Sequence, residues 1–178
     1  STSYNKNGKG IPFFQGKTDF GKLYPSVRIY CSKPKKVANK GDILLSVRAP
    51  VGAVNLSPDT VCIGRGLTAI RPNERLMTFY LLYYLRYYEP QLQRCGTGTT
   101  FNAITQNVVK NIKVPLPSFN EQKRIVAKIE ELFSNLDASV AELQLAKEKL
   151  ELYQQAVLKE AFEGKLTLKM WGLHDEYN

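Results

Sequence analysis

The chain has 178 residues, of which 43% are hydrophobic and 11% aromatic, and it carries 25 lysines and arginines against 16 aspartates and glutamates. This composition supplies enough apolar side chains for a packed core and excludes a wholly disordered chain. Its apolar runs fall short of the roughly 18–20 residues that a membrane-spanning helix needs, and the opening residues lack the pattern of a signal peptide.

The positive charge is concentrated in the first two thirds of the chain. Residues 1–120 contain 17 lysines and arginines against 5 acidic residues, a net charge of +12, whereas residues 121–178 contain 8 against 11, a net charge of −3. A basic module of this size is typical of proteins that bind a polyanion, most often nucleic acid. A basic surface that serves only solubility is the alternative that composition leaves open.

The sequence has few residues that could bind a metal ion or take part in redox chemistry. The cysteines Cys31, Cys62 and Cys95 are far apart, no CxxC pair occurs, and His174 is the only histidine. We therefore expect no metal site, no cofactor, and idle thiols in a reducing cytoplasm.

The first module has the pattern of short strands separated by turn residues. Runs of β-branched and apolar side chains predict strands at Val27–Cys31, Ile43–Val47, Ala53–Leu56 and Thr68–Ile70. A helix is predicted over about Met77–Tyr88, ending before Pro90, and a second short helix begins near Thr105. We expect an α+β fold, a compact domain with one strongly twisted sheet.

Five tyrosines lie in the first predicted helix: Tyr80, Tyr83, Tyr84, Tyr87 and Tyr88. Such a cluster can form a platform on which bases stack. Its helical spacing favours packing at the edge of the core instead.

A long amphipathic helix follows the proline-bracketed segment 114–118. Ser118 and Glu121 have the spacing of a capping box at its start, and Gly164 suits the position just after its last turn. Apolar side chains repeat along it in heptads at Ile129, Leu136, Leu143, Leu150 and Val157. Six further residues widen the stripe: Ile125, Leu132, Phe133, Val140, Ala146 and Tyr153. We expect the five heptad residues, with Leu132 and Val140, to form the dimerisation contacts. A heptad pattern of this length requires another helix alongside, and no second helix as long is predicted here. The partner is therefore a second copy, another subunit, or a part of a longer protein.

Patterns for catalysis are incomplete. Gly16-Lys17-Thr18 has the end of a phosphate-binding loop, but Ile11 stands where its first glycine is needed. Acidic residues in the first module are too sparse to indicate a pair of catalytic carboxylates. We therefore expect a protein that is not an enzyme.

Four segments together resemble the specificity subunit of type I restriction–modification enzymes. They are GDILLSVRAPVGAV (41–54), CIGRGLTAIRP (62–72), GTGTTFNAITQNVVKNIKVPLPSFNEQKRIV (96–126) and AFEGKL (161–166). The match covers nearly the whole chain in the right order. LPSFNEQKRIV, joined to a long helix that ends in AFEGKL, is its most specific part.

The resemblance implies an architecture and a set of partners. Such subunits carry two target recognition domains, each followed by a long helix, and the two helices pair as an antiparallel coiled coil that fixes the spacing of a split DNA target. Methyltransferase subunits, which bind S-adenosylmethionine, dock on the helices, and restriction subunits join through them. Since this sequence has one such domain and one such helix, we interpret it as a half-subunit, natural or truncated. Two copies paired through the heptad positions would recognise a palindromic target.

Domain boundaries follow from the same pattern. We expect a target recognition domain at 1–117, a spacer and dimerisation helix at 118–163, and a C-terminal tail at 164–178. Two other functions stay open on the residues alone: a coiled-coil protein-interaction module, and an RNA-binding adaptor without sequence-specific DNA recognition.

Candidate DNA contacts come from the basic module. Arg48 and Arg65 lie in turns shaped by glycine or proline, and arginine can grip guanine, so we expect them to contact bases; turn stabilisation or a structural ion pair is the alternative. The loop Gly96–Thr100 can hold phosphate oxygens through its backbone and hydroxyls, although a plain flexible loop would have the same composition. The remaining candidates for contact with DNA are Lys17, Lys33, Lys35, Lys36, Lys40, Arg94, Thr97, Thr99, Thr100, Asn102 and Gln106.

Overall fold

The structure is a computed structural model that describes residues 3–96 and 103–165. The chain divides into two compact units, Ser1–Ala127 and Lys128–Asn178. The first contains every described strand and two helices, and a long helix begins in it and continues through the second. The predicted α+β class is confirmed. None of the described helices is both long and apolar enough to cross a membrane.

Eight short strands of the first unit form two sheets, where the sequence predicted one. The strands are β1 (Tyr4–Asn5), β2 (Ile11–Phe14), β3 (Ile29–Cys31), β4 (Val37–Ala38), β5 (Ile43–Ser46), β6 (Val54–Leu56), β7 (Val61–Ile63) and β8 (Leu67–Ile70). One sheet has the order β1-β3-β2-β7-β4 and the other the order β6-β5-β8. Neighbouring strands are antiparallel except for β2 and β7, which pair in parallel.

Strand β5 has apolar packing on both of its faces. Ile43 and Leu45 belong to the largest apolar cluster, which includes the first helix, whereas Leu44 belongs to a second cluster around Phe14 and Leu67. Successive side chains of a strand point to opposite faces, so a strand that is covered on both sides has no polar alternation. This explains the uninterrupted apolar run of β5.

The four predicted strands are confirmed as β3, β5, β6 and β8, with ends within two residues of the prediction. The other four were missed. Strands β1 and β4 have two residues each, too few for a periodic pattern. Strand β2 contains Pro12, which argues against a strand when the sequence is considered alone.

Helix α1 (Thr78–Arg94) continues past Pro90, so its predicted end near Tyr88 was wrong. A proline inside a helix removes one backbone hydrogen bond and usually ends the helix. Here Pro90 is exposed, while Leu92 is completely buried in the largest cluster. The packing of Leu92 holds the last turn in place despite the proline.

Tyrosines of α1 pack against the segment that leads to the long helix. The Tyr84 hydroxyl donates to the Lys113 carbonyl at 2.7 Å, and the Tyr80 hydroxyl donates to the Pro115 carbonyl at 3.1 Å. Partial burial, with the neighbouring tyrosines, raises the pKa of Tyr84. The predicted packing role is confirmed for these two residues.

Both remaining helices begin where the sequence places a cap. Helix α2 (Gln106–Lys110) follows Thr105, whose hydroxyl accepts the Val108 N–H at 3.5 Å. Helix α3 (Phe119–Phe162) has 44 residues, a length of about 66 Å at 1.5 Å per residue. Its start is capped by Ser118, whose hydroxyl accepts the Glu121 N–H at 3.3 Å. The Glu121 carboxylate pairs with Arg124 instead of completing the predicted capping box.

Candidate nucleic-acid interface

Three of the predicted DNA contacts surround one concavity of about 480 Å³ in the first unit. Lys17 lies in a short 3-10 turn after β2, Arg48 follows β5, and Arg65 lies in the turn between β7 and β8. We call this site the basic concavity. The residues that line it are Gln15, Gly16, Lys17, Thr18, Ser46, Arg48, Ala49, Pro50, Arg65, Gly66 and Ala103.

Two glycines flank Arg65, and Gly66 is the one that the close approach of the Gln15 backbone requires. A Cβ atom on Gly64 would lie 2.5 Å from the Gln15 side-chain oxygen, and one on Gly66 would lie 2.5 Å from the Gln15 carbonyl oxygen. The Gly64 N–H donates to the Phe14 carbonyl at 2.8 Å, which ties this turn to the end of β2. Close backbone approach therefore holds the Arg65 turn against the end of β2.

The segment after β5 is fixed by its own hydrogen bonds. The Ser46 hydroxyl donates to the Arg48 carbonyl at 2.9 Å, and the Val47 N–H donates to the Gly66 carbonyl at 2.9 Å. Arg48 also forms an antiparallel bridge with Ala103. The backbones at Arg48 and Arg65 are thus joined through Val47 and Gly66, so the two arginines are held as one arrangement.

A buried carboxylate supports the side of the concavity that carries Lys17. Asp19 accepts the Gln15 N–H at 2.7 Å and the Arg28 Nε–H at 3.1 Å, and it is only 7% exposed. The Lys17 ammonium lies 3.6 Å from a carboxylate oxygen of Glu89, which offsets part of its charge. Lys17 is therefore held in place but is not fully free to attract an anion.

The charges of Arg48 and Arg65 are not offset by any ion pair among the described residues. Both side chains are exposed, and within 3–96 and 103–165 neither forms an ion pair. Two cations beside one concavity, with no acidic partner, produce a positive potential that attracts a polyanion. The concavity is suited to a phosphate backbone or to the acceptor-rich edge of a guanine.

Arg71 differs from Arg48 and Arg65 because it forms a structural ion pair. Its guanidinium donates two hydrogen bonds of 2.8 Å to the carboxylate of Asp42, which is buried at the start of β5. Burial alone would raise the pKa of Asp42, but the hydrogen bonds from Arg71 and from the Asn39 N–H, with the charge of Arg71, lower it below its usual value. This pair joins the ends of β5 and β8 and leaves no carboxylate oxygen without a partner.

The other predicted contacts lie elsewhere on the first unit. Lys36 donates to the Leu67 carbonyl at 2.6 Å, which gives it a structural bond. Lys40 lines a separate cavity of about 410 Å³, and Gln106 lines an apolar one of about 520 Å³. Three more are exposed outside the basic concavity: Lys33 and Lys35 after β3, and Arg94 at the end of α1. Four lie outside the described residues: Thr97, Thr99, Thr100 and Asn102.

Residues of the concavity that the sequence analysis missed are polar and come from distant segments. Gln15, Thr18 and Ser46 line it beside the predicted cations. Gln15 is exposed, and its amide can recognise adenine in the way that arginine recognises guanine. Thr18 belongs to the incomplete phosphate-loop pattern Gly16-Lys17-Thr18, whereas no short motif marks Gln15 or Ser46, because only the folded chain brings them beside the arginines.

Within the second unit, α3 leaves its apolar stripe uncovered. Leu143 is 70% exposed, and the half-buried Ile129 and Val157 are the least exposed of the predicted heptad positions. The other heptad residues are between 53% and 59% exposed: Leu132, Leu136, Val140 and Leu150. A row of large apolar side chains at this exposure is typical of a helix whose partner is another chain.

Comparison with known proteins identifies relatives over most of the chain. Residues 1–147 match the family described as the type I restriction modification DNA specificity domain. A protein of Methanocaldococcus jannaschii assigned as the MjaX type I restriction enzyme specificity subunit is 42% identical over 170 residues, which are 95% of this chain and 39% of the relative.

Solved structures agree with this match. The HsdS subunit from Thermoanaerobacter tengcongensis is 47% identical, with a TM-score of 0.74 over 93% of this chain and 40% of its own. A chain from a study of complex assembly and conformational transition of the type I R-M system is 48% identical, with a TM-score of 0.83 over 93% of this chain and 41% of its own. The chain thus spans about two fifths of the length of these relatives.

Proposed function

Since this chain belongs to the family of type I restriction modification DNA specificity domains, we propose that it recognises a specific sequence in double-stranded DNA. The observation that carries the proposal is the basic concavity, where Arg48 and Arg65 converge from separate segments and have no acidic partner in the part of the chain that the structure describes. Their positive potential suits the charged duplex, and their guanidinium groups suit the major-groove edge of guanine.

Contacts with DNA divide into two kinds under this proposal. Arg48 and Arg65 contact base edges, with Lys17 beside them. Phosphate contacts position the unit on the duplex and carry no sequence information themselves. We assign these contacts to Lys33, Lys35, Lys36, Lys40 and Arg94, and we retain Thr97, Thr99, Thr100, Asn102 and Gln106 as predicted contacts.

We further propose that the chain acts as half of a specificity subunit. It spans about two fifths of its relatives, and the exposed stripe of α3 needs a partner helix. Pairing of two copies through α3 supplies the second half, and two-fold symmetry then makes the target two inverted half-sites with a fixed spacer. The dimerisation contacts are Ile129, Leu132, Leu136, Val140, Leu143, Leu150 and Val157.

Catalysis belongs to other subunits in this proposal. The chain directs methyltransferase subunits, and restriction subunits through them, to the recognised site, and it works in the cytoplasm, where its DNA lies. It is not itself an enzyme. The matched family is named for DNA specificity, and the comparisons give no support to the alternatives of an RNA-binding adaptor or a pure interaction module.

Selection from a pool of randomised duplexes tests the proposal. We expect the purified chain to enrich inverted repeats of one half-site with a fixed spacer. Binding to the enriched duplex should weaken by about a hundredfold or more between 50 and 200 mM salt, because phosphate contacts release counterions. Equal competition by RNA, or enrichment of no sequence, would overturn DNA recognition.

A further inference from the structure

Gln122 in the first turn of α3 is completely buried, and all of its hydrogen-bonding groups are used within the first unit. Its side-chain oxygen accepts the Met77 N–H at 2.7 Å. Its side-chain nitrogen donates to the Arg75 carbonyl at 2.8 Å and to the Pro117 carbonyl at 3.0 Å. An exposed glutamine on a helix surface makes no comparable set of bonds, so this residue calls for an explanation.

These bonds join the start of α3 to the chain that enters α1. Arg75 and Met77 immediately precede α1, and Pro117 belongs to the segment that enters α3. One turn after Gln122, Val126 is 4% exposed. The three hydrogen bonds of Gln122, together with the burial of Val126, thereby hold the first turns of α3 in place.

These three hydrogen bonds require the side-chain amide of Gln122. A glutamate at 122 would keep the acceptor for Met77 but would place a carboxylate against two carbonyl oxygens. Methionine has a similar length but neither donor nor strong acceptor. Buried polar groups that are fully hydrogen-bonded are better suited to specifying one arrangement than to adding stability, because an apolar side chain can fill the same space.

We propose that Gln122 is a positioning residue for DNA recognition, which fixes the first turns of α3 on the recognition unit and thereby sets the spacer between half-sites. The inference rests on the proposed function. Helix α3 is continuous from Phe119 to Phe162, so the residues of the apolar stripe belong to the same helix whose first turns Gln122 holds. A change of one base pair in the spacer rotates the second half-site by roughly 34°, since about 10.5 base pairs make one turn of the duplex. Spacers that differ by one base pair can be discriminated only if the start of α3 is fixed on the recognition unit.

The experiment compares Gln122→Met with wild type and with Gln155→Met, the same substitution at an exposed position of α3. Each chain is bound to the duplex enriched by wild type, to versions with the spacer shortened or lengthened by one base pair, and to a duplex with a single half-site. We expect wild type and Gln155→Met to prefer the enriched spacer by about tenfold or more, as DNA deformation energies allow. Gln122→Met should bind the single half-site as wild type does but lose most of the spacer preference, to below about threefold.

Each result decides the matter. Retained spacer preference in Gln122→Met overturns the inference while leaving the proposed function intact. Failure of wild type to enrich any duplex overturns the proposed function first. Should Gln122→Met fail to fold, Gln122→Glu is measured in the same way. Loss of folding in both would also overturn the inference, because Gln122 would then serve the stability of the unit and not the spacer.

Discussion

The two units of this chain differ in the exposure of their leucine side chains. In Ser1–Ala127, Leu44, Leu82 and Leu92 are completely buried. In Lys128–Asn178, Leu143 is 70% exposed and Leu152 is 66% exposed. The sign of the charge differs as well, with a net charge of +12 in residues 1–120 and −3 in residues 121–178.

This difference separates a unit with an apolar core of its own from a unit whose helix exposes its apolar side chains. The first unit buries three apolar clusters of its own, and its exposed cations are available for polar recognition. The second has a helix whose apolar stripe has no internal cover, and helices of this kind gain most of their stability from packing against another element.

The largest effect should follow from charging the stripe of α3. We expect Leu136→Glu with Leu143→Glu to weaken self-association by about 4 kcal/mol or more, because unpaired carboxylates would be buried between the helices. This is roughly a thousandfold in Kd. Light scattering should show a mass of about 40 kDa for wild type, twice the 20.1 kDa chain, and about 20 kDa for the variant.

The matched control adds the same two charges away from the stripe, as Ser134→Glu with Gln155→Glu at exposed positions. That chain should remain dimeric. A variant at 136 and 143 that kept the mass of a dimer would show that the stripe is assigned to the wrong face. A wild-type chain that stayed monomeric would assign the stripe to a different subunit.

The next largest effect should follow from truncating a buried leucine of the first unit. In the monomeric background of Leu136→Glu and Leu143→Glu, Leu82→Ala should lower the free energy of unfolding by about 2–5 kcal/mol, since it leaves a cavity in the largest cluster. Leu150→Ala, at an exposed position, should cost less than about 0.5 kcal/mol. Denaturant titration measures both, and equal costs would contradict the contrast.

The sequence predicted the second unit better than the first for a physical reason. A heptad repeat and a capping residue are local signals, so Ser118, Leu136 and Gly164 are enough to predict α3 and its ends. The parallel pairing of β2 with β7 joins residues about fifty positions apart, and no local pattern encodes it. The end of α1 was mispredicted because the distant packing of Leu92 outweighs the local effect of Pro90.

The same reasoning applies to the basic concavity. Arg48 and Arg65 could be chosen from the sequence because glycines and prolines mark their turns. Gln15 and Ser46 could not, since only the folded chain places them beside the arginines. The role of Gln122 was hidden for another reason. A polar residue on an amphipathic helix is expected to face solvent, and its three partners lie outside α3.

A smaller effect should separate recognition from folding in the first unit. Arg65→Ala should weaken binding to the enriched duplex by about 1–3 kcal/mol and relax the sequence preference at one base pair of each half-site. The free energy of unfolding should not change measurably, because Arg65 is exposed and forms no ion pair with any residue in the described ranges. Lys149→Ala, an exposed cation of α3, is the control and should leave the base preference unchanged. Loss of affinity with every base preference intact would make Arg65 a phosphate contact.

The smallest effect concerns Arg71 and Asp42, whose ion pair joins the ends of β5 and β8. In the monomeric background, Asp42→Asn should lower the free energy of unfolding by about 1–2 kcal/mol at neutral pH, because the asparagine cannot accept both bonds from Arg71 as a carboxylate does.

The lowered pKa of Asp42 determines how the free energy of unfolding changes with pH. The pKa of Asp42 is lower in the folded chain than its ordinary value, so its contribution to stability is complete above about pH 3.9, the unfolded value, and is lost as pH falls through the folded one. The free energies of unfolding of wild type and Asp42→Asn should therefore converge below about pH 3.9. A constant difference between wild type and Asp42→Asn down to that range would mean that the lost hydrogen-bond geometry, and not the charge of Asp42, stabilises the junction of β5 and β8.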